Sequence, residues 1–275
     1  MTFDCAAPIL VYVTDKSRLD TLLVQRGLVE SQEKARAVVL AGAVLVDDRP
    51  ASKPGALVSP GSRVRLLSRP QYVSRGGEKL AHALSAFEID VGGLVAVDVG
   101  ASTGGFTDCL LQRGASRVYA IDVGYGLLDY RLRQDPRVIV MERLNVRHLT
   151  SLPAAEGGQP EKADLATVDV SFISLEKVIP AVMRVLKAGA RIVALVKPQF
   201  EAKRREVGRG GVVRDASVHA AVLGRLIAWS VGRGLRLLGL TTSPLLGPAG
   251  NKEFFLLLGL TSEVAGPTEA GDALP

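Results

Sequence analysis

The sequence predicts an α/β fold: an open, mostly parallel sheet with helices on its faces and an antiparallel last strand, preceded by a small α+β module. Three observations predict it. An apolar run, residues 94–99, stops at Gly100 and passes through the turn Gly100-Ala101-Ser102-Thr103-Gly104-Gly105 into a helix carrying Phe106, Cys109, Leu110 and Leu111. Strand, tight turn and helix N-terminus make the first unit of a nucleotide-binding sheet. A second apolar run, 118–121, ends in Asp122, twenty-two positions after Gly100. A carboxylate there can accept hydrogen bonds from both ribose hydroxyls of a bound nucleoside. Finally, the first 67 residues read as two helices followed by short β pieces, with a composition shift at Ser68-Arg69-Pro70-Gln71.

Taken in order, residues 1–15 read as an irregular tail. Helical periodicity starts at Lys16, with Leu19, Leu22 and Leu23 on one face and Gly27 placed to end the helix. Ser31 is the expected N-cap of a second helix, with Glu33 in its first turn, the stripe Ala35, Val38 and Val39, and Gly42 at its end. Short β pieces follow at 43–46 and 63–67, separated by the turn signals Asp47-Asp48, Pro54-Gly55 and Pro60-Gly61. The expected domains are therefore 16–67 and 74–262, joined by a linker at 68–73, with a C-terminal tail from 263. Arg69 precedes a proline and is biased away from helix.

Within the larger domain the turn reads Asp98-x-Gly100-x-x-x-Gly104 and not Gly-x-Gly-x-x-Gly. Glycines let backbone approach a ligand with no Cβ in the way. With no pyrophosphate-type loop, the stretch favours S-adenosylmethionine (SAM) over NAD or ATP. The expected cofactor-binding residues are Asp98, Gly100, Ser102, Thr103, Gly104, Gly105, Phe106 and Asp122, with Asn145, after the strand at 138–141, beside the adenine. Asp169 ends the apolar run 165–168, and Lys197 ends 192–196, where Pro198 turns the chain out of the sheet. Ligands in such sheets bind at the carboxyl ends of the parallel strands, so both side chains share a rim with Gly100 and Asp122. Glu253 precedes the last strand; if that strand is antiparallel, its start reaches the same rim. Lys79 lies early in a helix with the stripe Leu80, Ala83, Leu84 and Phe87. Two lysines and two acids thus converge on one crevice, with Tyr125 and Phe172 flanking it.

Composition bounds the partners. The chain has 275 residues, 47% hydrophobic and 23% charged, a net charge of +6 and a pI near 9.5, which suits an anionic partner. Cys5 and Cys109 form neither a disulfide framework nor a zinc spacing, and no metal is expected. The acidic start Met1-Thr2-Phe3-Asp4 is unlike a signal peptide, and no window reaches the about 18 apolar residues of a membrane span. A reducing, cytoplasmic setting is expected. The first 70 residues carry ten Lys/Arg against seven Asp/Glu, about three times as positive per residue as the rest. Arg18, Arg26, Lys34 and Arg36 are the expected phosphate contacts there. In the larger domain Arg75 and the basic stretch Lys203, Arg204, Arg205 and Arg209, expected to be a flexible lid beside Lys197, complete the nucleic-acid-binding set.

The segment from Arg18-Leu19-Asp20 to Gly42-Ala43-Val44-Leu45-Val46-Asp47 resembles an S4 RNA-binding domain. Residues 73–258 resemble the TlyA branch of SAM-dependent rRNA 2′-O-methyltransferases, sometimes labelled hemolysins, whose catalytic domain is Rossmann-like and FtsJ-like. The blocks that carry the resemblance are Ser74-Arg75-Gly76-Gly77-Glu78-Lys79-Leu80, Gly100-Ala101-Ser102-Thr103-Gly104-Gly105-Phe106, Asp122-Val123-Gly124-Tyr125-Gly126, Asp169-Val170-Ser171-Phe172, Lys197-Pro198-Gln199-Phe200 and Gly247-Pro248-Ala249-Gly250-Asn251-Lys252-Glu253. The resemblance implies that Lys79, Asp169, Lys197 and Glu253 form the Lys-Asp-Lys-Glu catalytic tetrad, that Asp169 also touches the cofactor, and that the substrate is a cytidine ribose in rRNA of both subunits or of the large one alone (23S and/or 16S), as free RNA, a subunit or a whole ribosome. Lys197 is either a neutral base for the 2′-hydroxyl, favoured by burial and by the second ammonium of Lys79 but opposed by the two carboxylates, or a charged stabiliser of the alkoxide. The contrasting expectations are a non-catalytic S4-type assembly factor and, from the hemolysin label, a membrane-lytic protein. No strongly amphipathic basic helix supports the latter.

Overall fold

The computed structural model describes residues 16–261 apart from 41, 68–70, 155–157, 159 and 248. The expected tails, and 68–70 of the expected linker, lie outside the described residues. The chain divides into two compact units, Met1–Gln71 and Tyr72–Pro275.

In the first unit, a two-residue strand β1 (Ser17–Arg18) leads into α1 (Leu19–Gln25) and α2 (Gln32–Leu40), followed by β2 (Val44–Val46), β3 (Arg49–Pro50), β4 (Leu57–Val58) and β5 (Val64–Leu66). Leu19, Leu22 and Leu23 of α1 meet Ala35 and Val39 of α2 over Val44, Val58 and Val64, the stripes read from the sequence. Ser31 accepts a hydrogen bond from Lys34 N–H at 3.2 Å, capping α2. β2 and β3 are joined through Asp47 and Asp48, both left-handed (φ 50° and 62°). Two consecutive positive-φ residues are what a tight hairpin with right-handed twist requires, and aspartate tolerates them better than most side chains.

The second unit begins before the expected boundary. Tyr72 is buried against Gly77, and Val73 N–H donates to Asp108 at 2.8 Å, so both belong to its core and not to a linker. In order come α3 (Arg75–Ala86), β6 (Val95–Val99), α4 (Gly105–Gln112), β7 (Arg117–Ile121), α5 (Tyr130–Arg133), β8 (Val138–Met141), β9 (Ala163–Val168), α6 (Ile179–Arg184), β10 (Leu186–Val196), α7 (Pro198–Glu201), α8 (Ala216–Gly232), β11 (Leu235–Thr242) and β12 (Phe254–Leu260). The sheet runs β11-β12-β10-β9-β6-β7-β8. Strands β10, β9, β6, β7 and β8 are parallel, and β12 lies antiparallel between β10 and β11. The predicted last-strand direction is therefore the observed one.

The central strands bury both faces, which is why they read as unbroken apolar runs. Val97 and Val99 of β6 face the layer that holds α6 and α8, with Val182, Val222 and Leu226. Ala96 faces the opposite layer, where Leu80 and Leu84 of α3 meet Phe106 and Leu110 of α4. α3 and α4 pack so closely that a Cβ on Gly105 would lie 2.2 Å from Ser74 Oγ and 2.9 Å from Gly77 N. Among the described residues no helix is long and apolar enough to cross a membrane, and no group of three His, Cys, Asp or Glu could hold a metal.

Candidate active site

Parallel strands β6, β7, β9 and β10 end together, and two cavities open at those ends. The first, about 390 Å³, is lined by Gly100, Ser102, Asp122, Leu127, Asn145, Asp169 and Phe172 among others. The second, about 310 Å³, is lined by Ser74, Arg75, Gly76, Lys79, Thr103, Gly105, Phe106, Lys197 and Glu253. The two share Gly100, Ser102 and Asp169, so they are adjoining halves of one crevice.

Gly100 stands at the junction with φ +84°, where an added Cβ would lie 2.2 Å from the Asp169 carbonyl oxygen. That position demands glycine twice, for its dihedral and for its clearance. Ser102 also adopts positive φ, 50°, and its N–H donates to Asp122 at 2.8 Å. Asp122 accepts from Gly124 N–H at 2.7 Å with its other oxygen. The carboxylate expected to take ribose hydroxyls therefore also ties the glycine turn to the end of β7, and each of its oxygens keeps a lone pair for a ligand. Asn145 lines the same half, its Oδ1 accepting from Arg147 N–H at 3.1 Å. Gly104 sits at the N-terminus of α4 with φ +94° and brings no side-chain cap, leaving the helix's first N–H groups uncapped by it.

Asp98 lines neither half. It is fully buried beneath the turn, accepting from Thr107 Oγ at 2.7 Å and Thr167 Oγ at 3.0 Å. Burial pushes its pKa up to about 7, against the pull of the two hydroxyls. It holds the root of α4 to β6 and β9 from below.

The four tetrad side chains all line the second half. Lys79 Nζ lies 2.6 Å from Glu253 Oε2, with the side chains 8% and 0% exposed. The last strand places Glu253 and the middle of α3 places Lys79, 174 positions apart in the chain. Lys197 Nζ lies 2.5 Å from Asp169 Oδ1 and donates to Ser171 Oγ at 3.0 Å. Each ammonium thus has its own carboxylate, and the quartet is electrically neutral. The other oxygen of Glu253, Oε1, is buried and has no hydrogen-bond partner among the described residues. It sits against Gly247, where a Cβ would come within 2.4 Å.

Sequence reasoning missed Ser171, the second partner of Lys197, and the threonines under Asp98. No spacing announces them, because each meets its partner across the sheet. It also missed Asn251, fully buried, which accepts from Val213 N–H and donates to the Gly211 carbonyl, each at 2.9 Å. These bonds pin the end of the basic stretch. That stretch is folded into two 3₁₀ turns, Arg204–Glu206 and Arg209–Gly211, rather than an open loop, with Lys203, Arg204, Arg205 and Arg209 all exposed. Arg75 opens α3, exposed, at the mouth of the second half.

The four first-unit cations expected to contact phosphate are engaged with the protein itself. Arg18 clamps the buried Asp20 through two hydrogen bonds of 3.0 and 2.7 Å and holds its carboxyl below the usual range, with Arg36 3.5 Å away. Arg26 donates to the Ser62 and Pro60 carbonyls, and Lys34 pairs with Glu30. Arg18 and Arg36 keep half their surface exposed while doing so.

A glycine turn that a Cβ would fill, an acid at the end of the next strand, and a neutral lysine–carboxylate quartet across the junction fit SAM; they define a SAM-dependent methyltransferase. Comparison with known proteins agrees. Residues 72–260 match the FtsJ-like methyltransferase family and 17–64 match the S4 domain. A Bacillus subtilis protein provisionally named an rRNA methyltransferase, YqxC, is 48% identical over 88% of this chain and 85% of its own. The 16S/23S rRNA (cytidine-2′-O)-methyltransferase TlyA of Mycobacterium tuberculosis is 46% identical over 88% and 90%. A Streptococcus thermophilus structure provisionally called a hemolysin superposes with a TM-score of 0.67 at 43% identity, covering 91% of this chain and 90% of the other. The chain belongs to the TlyA branch of the FtsJ-like methyltransferases.

Proposed function

We propose that this protein methylates a ribose 2′-hydroxyl of ribosomal RNA, a cytidine in 23S and/or 16S rRNA, in the cytoplasm. Residues 16–67 serve to grip the RNA and 72–260 carry the reaction. The observation that carries the reading is the meeting of Lys79–Glu253 and Lys197–Asp169 beside the same Gly100–Ser102 turn that floors the nucleoside half of the crevice. SAM supplies a methyl group on a sulfonium, already electrophilic. What the chain must do is bring a 2′-oxygen into line and manage its proton. Asp122 and Asn145 hold the nucleoside end, and the backbone of 100–105 lies against the amino-acid end.

Lys197 faces the reacting oxygen. Its ammonium is already paired with Asp169 and bonded to Ser171, which favours the version in which it stays charged. It then orients the hydroxyl and stabilises negative charge as the proton passes to water. Lys79 and Glu253, sealed from solvent, keep the wall of the cavity in place behind it. Phe172, 90% exposed, and Tyr125, with Arg143 4.0 Å above its ring, stand at the mouth where an unstacked base can lie. Arg75 and the 203–209 cations serve the flanking phosphates.

Tritiated-methyl transfer from SAM to ribosomal subunits tests the reading. Wild type is expected to label them, and Lys197→Ala to lose about 10²–10³-fold in kcat, the usual worth of one such donor. Lys197→Arg separates the two roles: a charged stabiliser leaves measurable activity in the arginine variant, whereas a neutral base leaves none. Absence of label with wild type would return the chain to the non-catalytic RNA-binding reading.

A further inference from the structure

The turn between β9 and α6 carries a conformational oddity. Phe172 has φ +63°, a left-handed backbone that a bulky aromatic seldom adopts, and yet it is the most exposed large apolar residue among the described residues. Such strain persists only where the surroundings over-determine it. Its neighbours supply the constraint. Ser174 Oγ donates to Glu201 Oε2 at 2.7 Å, and Leu175 N–H donates to Glu201 Oε1 at 2.8 Å. Glu201 closes α7, four residues after Lys197, and its own carbonyl accepts from Arg225 at 3.1 Å. The Phe172 ring rests on Phe200 with centroids 4.9 Å apart. At the other end of the turn, Ser171 receives the Lys197 bond. Both hydrogen bonds of the Glu201 carboxylate go to this one turn.

We propose that Glu201 is a positioning residue: its carboxylate clamps the 171–175 turn to the segment after Lys197, so that Phe172 is presented at the mouth and the Ser171 hydroxyl stays beside the Lys197 ammonium. The role is geometric and does not need a charge. A glutamine can keep both links, accepting from Leu175 N–H with its oxygen and donating to Ser174 Oγ with its amide. An alanine keeps neither. The inference rests on the rRNA methyl-transfer reading.

The test compares Glu201→Ala, Glu201→Gln and Ser174→Ala in methyl transfer to ribosomal subunits, with SAM affinity measured by calorimetry. Glu201→Ala is expected to lose roughly 10–100-fold in kcat/KM for RNA, the scale of an ångström-sized misplacement, with a smaller loss in SAM affinity, because the turn also lines the nucleoside half of the crevice. Glu201→Gln is expected to retain most of the activity, and Ser174→Ala to fall between. In a Phe172→Ala background the Glu201→Ala loss should shrink, because the clamp then has less to present. Wild-type activity from Glu201→Ala, or a Glu201→Gln variant as defective as Glu201→Ala, overturns the clamp. If Glu201→Ala does not fold, Ser174→Ala decides: no loss there overturns it as well. Failure of wild type to transfer methyl overturns the parent reading instead, so the two failures are told apart.

Discussion

The two lysine–carboxylate pairs look alike in sequence and differ in what they cost. Lys79–Glu253 is sealed, while Lys197 and Asp169 keep 13% and 23% of their side-chain surface in contact with solvent. Removing one member of a sealed pair strands the other charge, worth about 3–5 kcal/mol. Glu253→Ala is therefore expected to lower the urea midpoint far more than Asp169→Ala, and Lys79→Met combined with Glu253→Leu to recover much of that stability with no methyl transfer. Equal midpoints for the two single variants would contradict this difference in burial. Asp98 makes a pH-dependent prediction. Its folded pKa, about 7, lies above the ordinary carboxylate value, so the native state binds its proton more tightly than the unfolded chain does. The stabilisation is complete below about pH 4 and is lost as pH rises through 7, at up to about 1.4 kcal/mol per unit. Denaturation between pH 5 and 8 should show this decline in wild type and a flatter profile in Asp98→Asn.

Elements set the site by where they stop. Strands β6, β7, β9 and β10 each end one residue before Gly100, Asp122, Asp169 and Lys197 respectively. The chain exits there because a glycine, a charge or a following proline cannot continue a buried strand. That was legible because parallel strands covered on both faces leave unbroken apolar runs whose ends are sharp. The two-residue strands β1, β3 and β4 were not, since Ser17–Arg18 and Arg49–Pro50 have no period to read and exist only through their partners. Ser171 and Glu201 were hidden for a related reason: each matters through a contact 26 positions away in sequence. The α3–α4 crossing yields a further expectation. Gly105→Ala should destabilise the larger unit by about 1–3 kcal/mol through overpacking against Ser74 and Gly77, read as a lower melting temperature, and should weaken SAM binding because the same helix start lines the cavity.

For the whole molecule, charge and cofactor work on separate accounts. A net +6 is spread over both units, and the affinity for ribosomal RNA is expected to fall steeply between 50 and 200 mM salt, as phosphate-dominated binding does. Neutralising Lys203, Arg204, Arg205 and Arg209 should flatten that dependence. Arg26→Ala should instead lower the stability of the first unit, because its guanidinium is spent on the Pro60 and Ser62 carbonyls. A salt slope unchanged by the four-residue variant would remove that stretch from the RNA footprint. The lysine–carboxylate quartet has a consequence for turnover. The methyl donor arrives bearing a positive sulfonium and departs as an uncharged thioether. Walls whose ammonium and carboxylate groups cancel neither repel the arriving cation nor hold back the spent nucleoside, so exchange of one for the other is left to shape and to the grip of Asp122.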